Sequence, residues 1–289
     1  MEEGAKNTKA FHLAGIVPVA GQPLDFNFPW HDSLMPVGKN YLAVDRAVAE
    51  CAAAGCETIW VVCHKGTQPL LRHRLGEWAI DPTTVDMGGP LPEEKIKKIP
   101  IFYVPIHPND RRKRDCLGWS VLYGALSAYR ISGTLSKWVI PDKYYAAFPY
   151  GAYPLDLIKA GRKKFSSKEN FCLTFGSDSV KNGEYLGFTF GADDFKRCRD
   201  IIRTEGTNLW SNRKRLPLEK RYSAQHFSLD KVFEGVIIEG KIEIPWYYRV
   251  DSWQGYKQFL ASPHGGELIK PKRMKYGEWN RIGCSDENP

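Results

Sequence analysis

The sequence predicts an α/β protein with a Rossmann-like, three-layer α/β/α fold built on a mixed, mostly parallel sheet. Two apolar runs without polar alternation, residues 13–19 and 58–63, are typical of strands that are buried on both faces. Between them, residues 41–54 place apolar side chains near helical spacing, and Gly55 follows as a helix-ending glycine. A strand, a helix and a second strand in this order predict a right-handed crossover within one open sheet.

The same alternation continues along the chain. We expect a helix over residues 69–78, a strand over 99–106, a helix over 117–130, and a short strand over 138–140 that ends at Pro141-Asp142. The second half is less regular, with strands over 171–176 and 185–190, helices over 193–203, 229–235 and 253–260, and an extended aromatic-rich segment over 241–250. We expect residues 1–10 to form a flexible N-terminus, 11–262 a single domain and 263–289 a C-terminal tail.

Composition limits the class of protein. Of the 289 residues, 43% are apolar and 26% are charged, as is ordinary for a soluble globular protein. No window holds eighteen consecutive apolar residues, so we expect no membrane span, and the polar N-terminus is unlike a secretory signal. Seven scattered cysteines without a CxxC pair argue against a disulfide framework or a zinc ribbon, and favour a reducing, cytoplasmic location.

The net charge of +8 is concentrated in two clusters, residues 111–114 (RRKR) and 213–215 (RKR). Basic clusters attract phosphate groups, either of a nucleotide or of nucleic acid. The alternative is a solvated surface without a phosphate partner.

Ligands of open α/β sheets bind beyond the carboxyl ends of the strands. That rule selects residues 21–40, 64–67, 107–114 and 142–145 as the rim of one site. In the first loop, Ala20 and Gly21 allow close approach of the backbone to a phosphate, and Lys39 precedes the first helix.

Two acids are candidate metal ligands. Asp142 follows the expected short strand, where a carboxylate can hold Mg²⁺ between the protein and phosphate oxygens. The alternative is an Asp that initiates a turn after Pro141. Asp251 lies between an extended segment and a helix, and its alternative role is the N-cap of that helix.

Four motifs follow one another along the chain: GIVPVAG with LMPVGKNYLAVDRAVAECAAAGCETIWVVCHKG, then LGWSVLYGALSAYR, WVIPDKYY and RVDSWQGYKQFL. In this order they resemble the sugar-phosphate nucleotidyltransferases of the nucleotide-diphospho-sugar transferase superfamily. GIVPVAG and LMPVGKNYLAVDRAVAECAAAGCETIWVVCHKG resemble the opening of that family, from its first strand through its first helix. LGWSVLYGALSAYR is similar to its Gly-Thr-Ala helix, and WVIPDKYY to its strand that ends in a metal-binding Asp. RVDSWQGYKQFL is similar to its late element with a second metal-binding Asp. The order and spacing agree across residues 13–262.

This resemblance implies a nucleotidyltransferase reaction. A sugar phosphate attacks the α-phosphate of a nucleotide triphosphate, which releases pyrophosphate and leaves a nucleotide sugar. The implied cofactor is Mg²⁺, held by Asp142 and Asp251. The nucleotide-binding residues are then Ala20, Gly21, Gln22, Lys65 and Gly118.

The loop after the first strand departs from the family pattern. The family's Gly-x-Gly-Thr-Arg is replaced by QPLDF, and the position of its catalytic Lys carries Asp32. Cations of neighbouring loops can substitute in neutralising the developing charge, so we assign Lys39 and Arg111 as catalytic candidates.

Two other functions stay open. A glycosyltransferase on the same fold would use an intact nucleotide sugar, and its basic surface would serve an acidic acceptor such as nucleic acid. A non-catalytic binding or structural protein would have kept the fold after losing the active loop. Aromatic side chains near residues 144–153 and 246–248 suit either a sugar-stacking site or a protein interface.

Overall fold

The computed structural model describes residues 11–21, 26, 28–85, 96–135, 140–205, 210–211, 214–217, 221 and 227–268. The strands in these ranges are β1 (Leu13–Pro18), β2 (Pro36–Gly38), β3 (Tyr41–Leu42), β4 (Thr58–Cys63), β5 (Trp78–Ile80), β6 (Lys98–Pro105), β7 (Lys143–Ala146), β8 (Gly151–Ala152), β9 (Phe171–Thr174), β10 (Phe188–Phe190), β11 (Trp210–Ser211), β12 (Lys214–Arg215), β13 (Gly240–Glu243) and β14 (Tyr248–Arg249). The helices are α1 (Ala43–Ala54), α2 (Gln68–Leu75), α3 (Pro82–Val85), α4 (Pro108–Lys113), α5 (Leu117–Leu135), α6 (Asp156–Ala160), α7 (Arg162–Phe165), α8 (Ala192–Glu205), α9 (Leu229–Phe233) and α10 (Trp253–Ala261).

The central sheet contains eight of these strands, in the order β13-β9-β10-β7-β1-β4-β6-β5. β10 and β5 run antiparallel to their neighbours, and the other pairs are parallel. This confirms the predicted mixed, mostly parallel sheet. β1 lies at the centre, because the chain moves outward through β4 and β6 and then returns to place β7 on its other side. Such a reversal is where α/β sheets open a crevice for ligands.

Two hydrophobic cores cover the two faces of this sheet. Along β1, Leu13 and Val17 belong to one core, and Ala14 and Ile16 belong to the other. This alternation follows from the period of two in a strand. α1, α6 and α7 pack on the first face, and α5, α8 and α9 pack on the second. The three-layer α/β/α architecture is therefore confirmed.

A glycine on each face lets a helix approach the sheet closely. A Cβ at Gly15 in β1 would lie 2.8 Å from Sγ of Cys51 in α1. A Cβ at Gly124 in α5 would lie 2.7 Å from Cγ2 of Ile16. Interiors packed at this density leave no room for an added methyl group, so both positions require glycine.

The cysteines and the helices of the described ranges each share one property. The six cysteines within the described ranges are all buried, as expected for small apolar side chains. No helix in those ranges combines the length and the apolar character that a membrane span needs.

Most predicted elements lie near their expected positions, and the short strand before Asp142 is the main exception. Residues 136–139 lie outside the described residues, and Ile140 is not in a strand. The strand begins after Asp142, at Lys143, whose Nζ donates to the carbonyl of Ser167 at 3.0 Å. A lysine whose ammonium group is hydrogen-bonded in this way can form part of a buried strand. The apolar pattern of the sequence did not indicate this strand. The helix expected over residues 69–78 is also shorter, because it ends before Gly76.

A buried network of Arg46, Glu50, Tyr145 and Tyr153 ties α1 to the sheet. Nη1 of Arg46 lies 3.2 Å from Oε2 of Glu50, and both side chains are fully buried. The hydroxyls of Tyr145 and Tyr153 donate to Oε1 of Glu50 at 2.7 and 2.8 Å. Burial raises the pKa of Glu50, whereas Arg46 and the two hydroxyls act in the opposite direction.

Candidate functional site

The carboxyl ends of three neighbouring parallel strands form one edge of the sheet, called the carboxyl edge: residues 19–21 after β1, 64–66 after β4 and 106–116 after β6. The backbone N–H of Ala20 donates to the carbonyl of Val62 at 2.8 Å, which fixes the end of β1 against β4. The Ser120 hydroxyl donates to the carbonyl of Ala20. A Cβ at Gly21 would lie 3.1 Å from Cδ2 of Leu117. The loop after β1 is thus held against the N-terminal turn of α5, the positive end of that helix.

A polar contact joins the loops after β4 and β6. Nε2 of His64 lies 3.7 Å from Oδ1 of Asp115, and Nε of Arg111 lies 3.7 Å from Oδ2 of the same carboxylate. No donor in the described part of the chain hydrogen-bonds to Oδ1 of Asp115, although that atom is buried. The Arg111 side chain is 60% exposed, so its guanidinium can accept a second anionic partner.

A second histidine, His31, lies close to His64. Its ring caps a short 3₁₀ turn, Asp32–Leu34. Burial lowers the pKa of His31, and the charge of His64 acts in the same direction, while Asp32 opposes both. Asp32 is itself buried, and its charge adds to burial in raising the pKa of Tyr150. Because Tyr150 follows β7, the residues beyond the carboxyl end of β7 adjoin the carboxyl edge.

A second polar cluster borders the carboxyl edge beyond Tyr150. We call it the Arg249 cluster; it consists of Arg249, Asp251, Glu184, Tyr185 and Tyr247. The guanidinium of Arg249 pairs with the Asp251 carboxylate and lies 3.2 Å from Oε1 of Glu184. The Tyr247 hydroxyl donates to Oε2 of Glu184 at 2.9 Å. The ring centres of Tyr185 and Tyr150 are 5.7 Å apart, which joins the cluster to the edge.

Several site residues expected from the sequence lie at the carboxyl edge or at the adjoining start of α5: Ala20, Gly21, Lys65, Arg111 and Gly118. Lys65 is exposed in the turn that follows His64. Gln22 lies outside the described residues. The position of these side chains agrees with a ligand site, and their roles remain predictions.

Packing accounts for Gly118, and Lys39 lies in a separate turn. A Cβ at Gly118 would lie 2.8 Å from Cγ2 of Val232, so packing of α5 against α9 explains this glycine. Lys39 is exposed in the turn between β2 and β3. The neighbouring Asn40 is held by Arg74 from the last turn of α2, which donates to its carbonyl at 2.8 Å.

The expected metal pair of Asp142 and Asp251 is not formed. Asp142 lies at the amino end of β7, where its Oδ2 accepts a hydrogen bond from the backbone N–H of His12 at 2.8 Å. Asp251 lies beside the carboxyl edge, paired with Arg249. The two acids stand at opposite ends of the sheet because β7 begins directly after Asp142 rather than ending before it. The prediction that Asp142 belongs to the rim of the site is therefore wrong.

The side chains around Asp251 do not form a set of ligands that fits a metal ion bound by the protein. Within the described ranges, no group of three or more His, Cys, Asp and Glu side chains has an arrangement that could hold a metal ion. The charge of Asp251 is already matched by Arg249. Asp251 is not the N-cap of α10 either, since Ser252 takes that role and its Oγ accepts from the N–H of Gly255 at 3.3 Å.

Sequence reasoning placed His31 and His64 within the rim of the site without giving them a role, and it did not single out Asp115, Glu184 or Arg249. The signal for His64 was its position directly after an apolar run expected to be a strand. The contact of His64 with Asp115 joins residues far apart in the chain, which no local spacing indicates. The same is true of Arg249 with Glu184.

Comparison with known proteins identifies the fold. A scan of protein-family models gives no match, and a search of curated proteins finds no related sequence. A Bacillus anthracis protein described as a glucose-1-phosphate thymidylyltransferase, in complex with sucrose, has a TM-score of 0.51 and 11% identity over 85% of this chain and 93% of that chain. Rv0371c of Mycobacterium tuberculosis H37Rv has a TM-score of 0.51 and 11% identity, over 88% and 100%. A UDP-glucose pyrophosphorylase complexed with UDP-glucose has a TM-score of 0.48 and 12% identity, over 86% and 96%.

The structural match to the Bacillus anthracis protein confirms, at the level of the fold, the resemblance stated from the motifs. The chain has the fold of the sugar-phosphate nucleotidyltransferases. One fold can carry several activities, so function has to be argued from the residues at the carboxyl edge.

Proposed function

We propose that this chain binds a nucleotide triphosphate or a nucleotide sugar at the carboxyl edge, and that it is a divergent sugar-phosphate nucleotidyltransferase. The observation that carries the proposal is the contact of Ala20 and Gly21 with the N-terminal turn of α5, beside the His64–Asp115–Arg111 contact. A loop backbone, a helix N-terminus and exposed cations at one place favour a phosphate-bearing ligand.

Cationic side chains neutralise the phosphates in this proposal. Lys65 and Arg111 are exposed on the loops after β4 and β6, so both can approach a phosphate group. A bond forms between a sugar-phosphate oxygen and the α-phosphorus, and the bond from that phosphorus to pyrophosphate breaks. The nucleophile is already an anion, so positioning and charge neutralisation carry the step. We assign no step to a metal held by Asp142 and Asp251.

Binding without transfer is a second candidate, and one observation favours it. β7 is followed by the buried apolar residues Ala147 and Phe148, whereas the family that the motifs resemble has a metal-binding acid at the end of this strand. Loss of one stabilising group at a reacting centre typically costs about 3–4 kcal/mol of transition-state stabilisation. Binding through Lys65 and Arg111 does not need that acid.

A thermal-shift series tests the proposal. ATP, GTP, CTP, UTP and dTTP, and their glucose nucleotides, are added with and without Mg²⁺. We expect at least one of them to raise the melting temperature, and the Lys65→Ala/Arg111→Ala variant to lose most of that rise. The matched control is Arg130→Ala, which removes an exposed cation near the other end of α5.

Pyrophosphate release separates the two candidates. Release from a bound triphosphate and a sugar 1-phosphate supports nucleotidyl transfer. A ligand-dependent shift without release supports binding alone. If no nucleotide shifts the melting temperature, both candidates are wrong.

A further inference from the structure

An aromatic ladder lies within the loop after β1 and has no part in the phosphate site proposed above. The ring centres of Phe26 and Phe28 are 5.0 Å apart, and those of Phe28 and Trp30 are also 5.0 Å apart, with interplanar angles of 5° and 13°. Trp253, in the first turn of α10, meets Phe28 edge-on at 5.3 Å and 71°. We call Phe28, Trp30 and Trp253 the aromatic corner.

Both tryptophans of the aromatic corner are half exposed. Trp30 is 49% exposed and Trp253 is 45% exposed, whereas Phe26 at the base of the ladder is buried. Phe28 is nearly parallel to Trp30 and steeply inclined to Trp253, so the two indoles stand at a steep angle to each other. Adjacent large aromatic surfaces left in water indicate a binding site more often than scattered single residues do.

Groups that suit hydroxyls border the aromatic corner. Asp251 and Ser252 directly precede Trp253, and His31 directly follows Trp30. Asp251 is paired with Arg249, whose side chain is 44% exposed. Carboxylates accept hydrogen bonds and guanidinium groups donate them, while a hydroxyl can do both. A ligand ring with hydroxyls at its rim can therefore find partners here.

We propose that the aromatic corner binds the sugar ring of the ligand, with the C–H faces of a pyranose against the indoles of Trp30 and Trp253 and its hydroxyls toward Asp251 and Arg249. This inference rests on the proposed function, because it takes the sugar as one part of a nucleotide sugar or sugar phosphate. The face of an aromatic ring is electron-rich, so it attracts the weakly positive C–H groups of a sugar.

A sugar suits this place better than the other parts of the ligand. Arg249 at the border is already paired with Asp251 and Glu184, whereas Lys65 and Arg111 on the other loops are exposed cations that attract phosphate. The nucleotide is assigned to Ala20 and Gly21, two of the nucleotide-binding residues that the resemblance to the family implies. The aromatic corner is therefore left for the sugar.

A protein partner fits the corner less well. A stable interface buries roughly 800 Å² on each side. An aromatic side chain can bury at most about 150–250 Å², so three of them supply less than the area of such an interface. The three rings of the aromatic corner are only partly exposed, which lowers the available area further.

Saturation-transfer NMR with three probes tests the proposal: glucose 1-phosphate, mannose 1-phosphate and N-acetylglucosamine 1-phosphate. We expect at least one probe to show transfer to its pyranose C–H protons. Trp30→Ala and Trp253→Ala should each weaken its apparent affinity about fivefold, the size expected for losing one aromatic contact. The matched control is Trp78→Ala, which removes a tryptophan of 43% exposure from the edge strand β5 and should leave the affinity unchanged.

Two conservative variants separate stacking from folding. Trp30→Phe and Trp253→Phe keep an aromatic face and should retain most of the affinity, with a circular dichroism spectrum equal to that of the parent. The proposal is overturned if no probe shows transfer, or if transfer and affinity survive both alanine substitutions.

The nucleoside monophosphates AMP, GMP, CMP, UMP and dTMP distinguish this proposal from the proposed function. Their binding should depend on Lys65 and Arg111 and not on Trp30 or Trp253. If they bind and no sugar phosphate does, only the aromatic corner fails. If sugar phosphates bind through the tryptophans and none of the nucleotides in the earlier series does, only the proposed function fails.

Discussion

The molecule contains two clusters of the same chemistry, each with an arginine, a carboxylate and tyrosines, in opposite surroundings. In the buried network, Arg46 and Glu50 are 0% exposed, and two tyrosine hydroxyls donate to the carboxylate. In the Arg249 cluster, the guanidinium is 44% exposed and its two carboxylate partners are 15% and 16% exposed. The first cluster joins a helix to the sheet, whereas the second borders the carboxyl edge.

This difference decides what each cluster can do. A buried charge that loses its partner cannot turn to water, so the network is costly to break. An arginine that reaches solvent can exchange one partner for another at little cost, because water screens the pair. The same residue types therefore serve the fold in one place and can serve a ligand in the other.

The largest expected effect comes from Glu50→Ala. It leaves Arg46 buried without its carboxylate, so the free energy of unfolding should fall by about 3–5 kcal/mol. Urea unfolding followed by circular dichroism measures the loss. Glu77→Ala is the control, because Glu77 and Arg72 form an Arg–Glu pair in which both side chains are more than 40% exposed. Equal losses in the two variants would contradict the comparison.

A smaller loss is expected from Tyr153→Phe. The hydroxyl of Tyr153 donates to Glu50 and accepts a hydrogen bond from the N–H of Gly187 at 3.2 Å. Its removal leaves a buried donor without a partner, so unfolding should become easier by about 1–3 kcal/mol. A double-mutant cycle with Tyr145→Phe checks whether the two hydroxyls act on Glu50 together. Strict additivity would mean that they do not share the carboxylate.

Lys143 provides a pH test, since it is a buried charge whose hydrogen-bond partners are backbone carbonyls. Burial lowers the pKa of Lys143 to about 8, against 10.5 for an ordinary lysine. Between these values the unfolded chain holds a proton that the folded chain has lost, so stability should rise with pH, by about 1 kcal/mol after allowance for screening. Unfolding at pH 7.5 and 9.5 measures the rise, and Lys143→Met should remove it. An equal rise in that variant would assign the effect to other groups.

The smallest stability effect is expected from Asp251→Asn. It removes one charge from a pair that solvent reaches, so the free energy of unfolding should change by less than about 1 kcal/mol. Thermal unfolding measures this change. A loss as large as that of Glu50→Ala would show that the Arg249 cluster is structural, and would remove it from the candidate site.

The sequence predicted the centre of this fold better than its edges. β1 and β4 are continuous apolar runs, and burial on both faces gives such runs a distinct pattern. β7 was predicted at the wrong residues because its first residue is Lys143. A lysine in the sequence indicates an exposed position, but the charge of Lys143 is buried and hydrogen-bonded to backbone carbonyls. That shift moved Asp142 from the expected carboxyl end to the amino end.

The candidate site was predictable only in part, because its contacts join distant segments. Ala20, Gly21 and Lys65 follow recognisable strands, so their place at the carboxyl edge could be inferred. The path of the chain through β6 and α4 brings Asp115 next to His64, and the spacing of residues in the sequence does not indicate this contact. The aromatic corner was missed for the same reason, since only the fold brings Trp253 against Phe28.

The central claim is that ligand binds at the carboxyl edge of β1, β4 and β6, and the most direct test is hydrogen–deuterium exchange with and without nucleotide sugar. UDP-glucose, dTDP-glucose, ADP-glucose and GDP-mannose are used in turn. We predict slower exchange in peptides that cover residues 19–21, 64–66 and 106–120, with no change around His12 and Asp142. Protection confined to the amino end of the sheet, or no protection by any of the four compounds, would contradict the account.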